Sequence, residues 1–96
     1  MTSIALRIAS AADGDALDRL SELDSRPLPP GPHLVAVREG RLDAAISLAT
    51  GELVADPFRP TADLADLLRF AARRLRRERR RRRRSEPLLQ PRAVPV

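Results

Sequence analysis

The sequence contains no cysteine, lysine, tryptophan or tyrosine, and Phe58 and Phe70 are its whole aromatic content. Without thiols there can be no disulfides and no thiolate metal sites, and the redox compartment is left open. His33, the one histidine, cannot make a zinc site alone, so no metal is expected. No apolar run approaches the roughly 18–20 residues that a membrane-spanning helix needs. The N-terminus lacks a basic segment followed by an apolar stretch of signal-peptide length. The expectation is a cytoplasmic protein with no membrane span. No serine sits in a nucleophile elbow and no P-loop is present.

What is present in excess is arginine. All eighteen basic residues are Arg, and with the many alanines this skew fits the coding of a GC-rich bacterial genome. The formal charge of +5 hides an asymmetry. Residues 1–68 carry six Arg against eleven Asp and Glu, a formal −5, whereas residues 69–96 carry twelve Arg against two Glu, a formal +10. Ten of the twelve positions from Arg73 to Arg84 are Arg. The chain reads as an acidic body with a cationic extension, and the extension is the part suited to polyanions. Ninety-six residues allow one small domain. Glu86 to Val96, with three prolines and no apolar period, is expected to be disordered.

Hydrophobic periodicity organises the rest. Ile4, Leu6 and Ile8 alternate with Ala5 and Arg7, a period-2 strand with one buried face. Ser10 followed by Asp13 is a helix-start pattern. It predicts a helix from about Ala11 to Leu23, with Ala16, Leu17, Leu20 and Leu23 buried and Asp13, Asp15 and Asp18 toward solvent. The three aspartates read as a solvated helix face rather than a cation site. Four prolines in residues 24–32 stop the helix. Strands follow at His33 to Arg38, about Leu42 to Ala49, and Leu53 to Ala55, joined by turns at Glu39-Gly40 and Thr50-Gly51. Short Gly turns between apolar runs are hairpin signals, so these strands form an antiparallel meander. Thr61 is placed to cap a second helix, with Asp63 and Asp66 in its first turns. Leu64, Leu67, Leu68, Ala71, Ala72 and Leu75 give that helix an apolar stripe, and no apolar residue follows until Leu88. The arginine run is therefore the end of this helix, projecting past the core. The fold class is α+β, in the order β-α-β-β-β-α. Residues 1–77 form the domain, and residues 78–96 form the Arg-rich extension and the Pro-containing tail.

Two segments carry a family resemblance. Ile4-Ala5-Leu6-Arg7-Ile8-Ala9 leads into Ala12-Asp13 and the Leu17/Leu20 helix, and a Val-Ala-rich strand, a Gly turn and a second strand run from His33 to Leu48. Over residues 4 to about 77 this order resembles the first half of the GNAT N-acetyltransferase superfamily. The resemblance implies a GNAT-like fold. It also implies an acetyl-CoA loop of the form Gln/Arg-x-x-Gly-x-Gly/Ala between the fourth strand and the next helix. Here that loop reads Arg59-Pro60-Thr61-Ala62-Asp63-Leu64. Arg59 matches the first position and is the candidate cofactor-binding residue. Ala62 and Leu64 stand where the family has glycine, Pro60 removes an N–H, and Asp63 and Asp66 bring negative charge to the place of a diphosphate. No strand is expected after the helix to help grip the cofactor. These departures predict a domain without acetyltransferase activity, with acetyl-CoA bound only if the family site is retained. Glu52 and Asp56 lie where the family places general bases. His33 has no carboxylate or nucleophile in sequence range and reads as structural or exposed, so catalytic residues stay unknown.

The alternative function lies in Arg73, Arg74, Arg76, Arg77, Arg79, Arg80, Arg81, Arg82, Arg83 and Arg84. Ten guanidiniums bind nucleic acid or another polyanion by counterion release, without reading sequence. Single-strand recognition normally adds aromatic stacking, which this segment lacks, and a membrane anchor needs apolar residues among the charges. A further alternative is an interaction module, a homodimer or a partner chain joined through an exposed strand edge.

Overall fold

The computed structural model describes residues 3–89, with side chains for residues 3–82. Strands β1 (Ile4–Ile8), β2 (His33–Arg38), β3 (Arg41–Ser47) and β4 (Leu53–Ala55) form one antiparallel sheet in that order. A 3-10 turn at Ala11–Asp13 leads into helix α1 (Gly14–Asp24), and helix α2 (Ala62–Leu89) follows β4. The class is α+β and the strands make a meander.

Each face of the sheet carries one helix. Leu34, Ala36, Ala44, Ile46 and Leu48 pack with Leu64, Leu68 and Ala72 of α2. Val35, Leu42, Ala45 and Val54 pack with Leu17 and Leu20 of α1. Successive residues of a strand point to opposite faces, so burial on both faces requires the unbroken run Leu34-Val35-Ala36-Val37 rather than an apolar–polar alternation.

β1 departs from expectation. Ile4 is 39% and Ile8 47% exposed, and Leu6 is only half-buried. β1 is a sheet edge, and the buried residues of α2 pack over β2 and β3, so the outer strand is thinly covered. Leu67, on the margin of the α2 stripe, is exposed for the same reason. The other edge is β4, where the carboxylate of Asp24 accepts the outward N–H of Ala55 at 3.3 Å.

The start of the first helix also differs. Asp13 does not face solvent but is buried. It accepts hydrogen bonds from Arg7 at 2.7 and 2.9 Å and from the Ser10 backbone N–H at 2.7 Å. The Arg7 bond, then the Ser10 N–H, hold the Asp13 carboxyl well below the usual carboxylate range, and the same pairing raises Arg7. The first turn tightens to 3-10 geometry and α1 begins at Gly14. β3 stops at Ser47 rather than Ala49, because the Ser47 hydroxyl starts the turn. It donates to the Pro30 carbonyl at 2.6 Å and accepts the N–H groups of Ala49 and Thr50.

α2 is longer than its buried stripe. Ala72 is buried, Leu75 half-buried, and every residue from Arg77 to Arg82 is exposed. The helix has 28 residues and so is about 42 Å long at about 1.5 Å per residue. The helix takes in Glu86 to Leu89, which the sequence assigns to a disordered segment. The rest of that segment, 90–96, lies outside the described residues. Among the described residues, no helix is long and apolar enough to cross a membrane.

Candidate nucleic-acid interface

The loop from β4 to α2 is where the sequence places Arg59. Its Nε donates to Asp43 Oδ2 at 2.8 Å. Asp43 is fully buried, and its presence inside an apolar strand follows from a bulge. Ala36 pairs with Ala44 and Val37 with Leu42, so Asp43 has no partner residue across the ladder. The extra residue kinks β3 locally. Asp56, 1% exposed, lies beside it: Asp43 O accepts the Asp56 N–H at 3.0 Å. Arg41 and Arg19 approach Asp56 at 3.5 and 3.8 Å, and Arg41 approaches Asp43 at 3.7 Å. Two buried carboxylates thus share three partly exposed guanidiniums. The charges pair internally, as buried charges must.

The remaining groups of the loop are equally engaged. Arg38 donates to the Pro60 carbonyl at 2.7 Å and to both oxygens of Asp63 at 2.9 and 3.0 Å, which fastens the end of β2 to the start of α2. Asp63 Oδ1 accepts the Leu64 N–H at 2.9 Å, while Thr61 contributes its backbone carbonyl to Ala65 N–H. The first-turn N–H of Leu64 is therefore satisfied by Asp63, and among the described residues the Thr61 side chain makes no capping hydrogen bond. Burial opposes ionisation of Asp63, but the Arg38 and Leu64 hydrogen bonds outweigh it and its pKa is lowered.

The other sequence candidates are spread out. His33 Nε2 lies 2.6 Å from the Pro29 carbonyl. Glu52 is exposed and uses its backbone carbonyl to accept Ser47 N–H. Asp56 Oδ1 accepts the Phe58 N–H at 2.9 Å, so it serves a turn and an ion pair rather than facing a groove. Among the described residues, no cluster of three His, Cys, Asp or Glu could hold a metal ion.

The arginines of α2 contrast with all of these. Arg73, Arg74, Arg77, Arg79, Arg80, Arg81 and Arg82 are exposed and Arg76 is half-buried. Among the residues whose side chains are described, none of the eight makes an ion pair. Arg83 and Arg84 continue the helix backbone, and their side chains lie outside the described residues. One basic residue that the sequence reading passed over belongs with them. Arg69 reaches Asp66 only at 4.0 Å and lines a groove with Arg73 and Arg76. The spacing of 69, 73 and 76 is the signal that identifies it. The buried Asp43–Asp56 cluster was also passed over, although a lone Asp within Leu42-Asp43-Ala44-Ala45-Ile46 marks a charge that must find a partner. Compared with family models, curated proteins and solved structures, the chain matches none.

Proposed function

We propose that this chain is a non-enzymatic nucleic-acid-binding module, in which an acidic GNAT-like half-domain carries a cationic helix clear of its own carboxylates. One observation supports the binding role above the others: the eight α2 arginines between Arg73 and Arg82 lack ion-pair partners among the described side chains, although the body is rich in acid. A guanidinium already bonded to carboxylate has little left for a phosphate, whereas an unpaired one exchanges its counterions for it. The full chain should be retained on duplex nucleic acid at low salt. It should be released steeply as salt rises, with little difference between sequences. Failure to bind at low ionic strength defeats the reading.

The GNAT relationship rests on the element order and on a meander flanked by a helix on each face. Acetyl-CoA does not fit the loop as built. Arg59 is engaged by Asp43, Pro60 has no N–H, and a carboxylate, Asp63, takes the first-turn donor that a diphosphate would need. Calorimetry with acetyl-CoA should give no saturable heat up to millimolar ligand. Stoichiometric micromolar binding would reinstate the enzyme reading.

A further inference from the structure

The arginines of α2 are not equivalent. Grooves run along both flanks of the helix. On the flank toward the β3–β4 turn, Arg69, Arg73 and Arg76 rim a floor made by Ile46, Gly51 and Ala72. The next groove along the helix is lined by Arg73, Arg76, Arg77 and Arg80. The two share Arg73 and Arg76 and therefore form one trough, with no acidic residue in its lining. The other flank differs. Glu78 lines the groove of Arg74, Arg77 and Arg81, and it also lines the groove where Ile8 and Leu75 meet Arg79 and Arg82.

Helical geometry accounts for the division. Arg69, Arg73, Arg76 and Arg80 fall at i, i+4, i+7 and i+11, which is one stripe, and Glu78 lies about half a turn round the axis from it. The turn contributes as well. Gly51 has φ 82°, and a Cβ there would lie 3.3 Å from Arg76 Nη1. The missing side chain lets the Arg76 guanidinium lie against the turn, which explains why Arg76 is half-buried while its neighbours Arg73, Arg74 and Arg77 are exposed.

We infer that the stripe Arg69, Arg73, Arg76 and Arg80 is the face of α2 that contacts the phosphates of a nucleic-acid duplex. This rests on the nucleic-acid reading above and deepens it by giving the helix one binding side. The stripe is roughly 16 Å long. One strand of a duplex carries about five phosphates over that length, at about 3.4 Å each. Four guanidiniums thus face a comparable density of negative charge, and Glu78 is turned away from it. Duplex fits better than single strand because no aromatic side chain lines the trough.

The test compares two full-length variants that remove the same charge. One replaces the stripe, R69Q/R73Q/R76Q/R80Q, and the other the Glu78 side, R74Q/R79Q/R81Q/R82Q. Gln keeps a helix propensity close to that of Arg, and circular dichroism checks that both fold. Binding to a mixed-sequence duplex longer than the stripe is followed against salt. The stripe variant should lower the slope of log affinity against log salt by about 3–4, since each phosphate contact contributes about 0.9. The control variant should lower it by less than about 1. Equal losses in the two variants overturn the stripe and leave non-specific binding standing. If the unaltered chain does not bind duplex at low salt, the nucleic-acid reading falls and the stripe with it. Dicarbonyl modification of the unaltered chain, mapped by mass spectrometry, gives a second readout. Bound duplex should protect Arg69, Arg73, Arg76 and Arg80 more than Arg74 and Arg81, and uniform protection counts against the stripe.

Discussion

At the scale of single residues, the same side chain does opposite work according to what lies within bonding distance. Arg59 lies within the acidic body and Arg80 on the helix that leaves it. Arg59 is spent inside the fold, because Asp43 is 0% exposed and its Oδ2 has the Arg59 Nε at 2.8 Å. Removing the guanidinium strands a buried carboxylate, which costs far more than losing a surface ion pair. Arg59→Ala should therefore destabilise the protein by about 3 kcal/mol, read from the urea midpoint. Arg80→Ala should leave the midpoint within about 0.5 kcal/mol. A neutral Arg59→Ala would mean that Arg59 is free to serve a ligand. Arg41, 3.7 Å from Asp43 Oδ1, is too distant for a good hydrogen bond and does not replace Arg59.

At the scale of elements, α2 is two helices in one. Its first part is held by apolar burial, and the rest is helical without a core to lie on. Leu68 is fully buried and Leu67 is 44% exposed, although the sequence puts both in the apolar stripe. Leu68→Ala should cost about 3 kcal/mol through lost transfer energy and a cavity. Leu67→Ala should cost less than about 1 kcal/mol. Comparable losses in the two would place the helix in a different rotation on the sheet. The limited width of α2 also explains β1. A single helix covers about two strands at a spacing near 4.8 Å, so the outer strand keeps Ile4 and Ile8 partly in water.

At the scale of the whole molecule, charge separation sets how stability responds to pH. The acidic body offsets part of the charge of the helix without neutralising it locally. Lowering the pH removes that offset and leaves eighteen arginines unopposed. Asp13 and Asp63 have folded pKa values below those of the unfolded chain. The unfolded state then binds more protons in acid, so their contribution is present above the ordinary carboxylate pKa of about 3.9. It is lost as pH falls through the folded values, starting near about pH 5. Urea midpoints should fall steadily from pH 5 to pH 3. Asp13→Asn, lacking one of the two linked groups, should show a shallower fall than the unaltered chain, and an identical pH dependence would remove Asp13 from the linkage.

Much of this architecture could be read from the residues in order. The alternation in β1, the apolar runs between Gly-containing turns and the period-3.6 stripes place every strand and both helices, because each is a local pattern of residues. β2 and β4 have their predicted ends, since Pro32 and the Gly turns are local constraints. The overhang of α2 was equally legible, because a stripe that ends at Leu75 states where burial stops. Tertiary structure alone decided the rest. No local pattern reveals that the β1 face is thinly covered, since coverage depends on where α2 crosses the sheet. None reveals that Asp13 turns inward to Arg7, or that a bulge in β3 brings Asp43 to Arg59 across sixteen positions. The division of the α2 arginines into a stripe against the Gly51 turn and a flank shared with Glu78 is of the same kind. Sequence spacing sets which arginines share a side of the helix, and only the packing of that helix on the sheet decides which side faces the Gly51 turn.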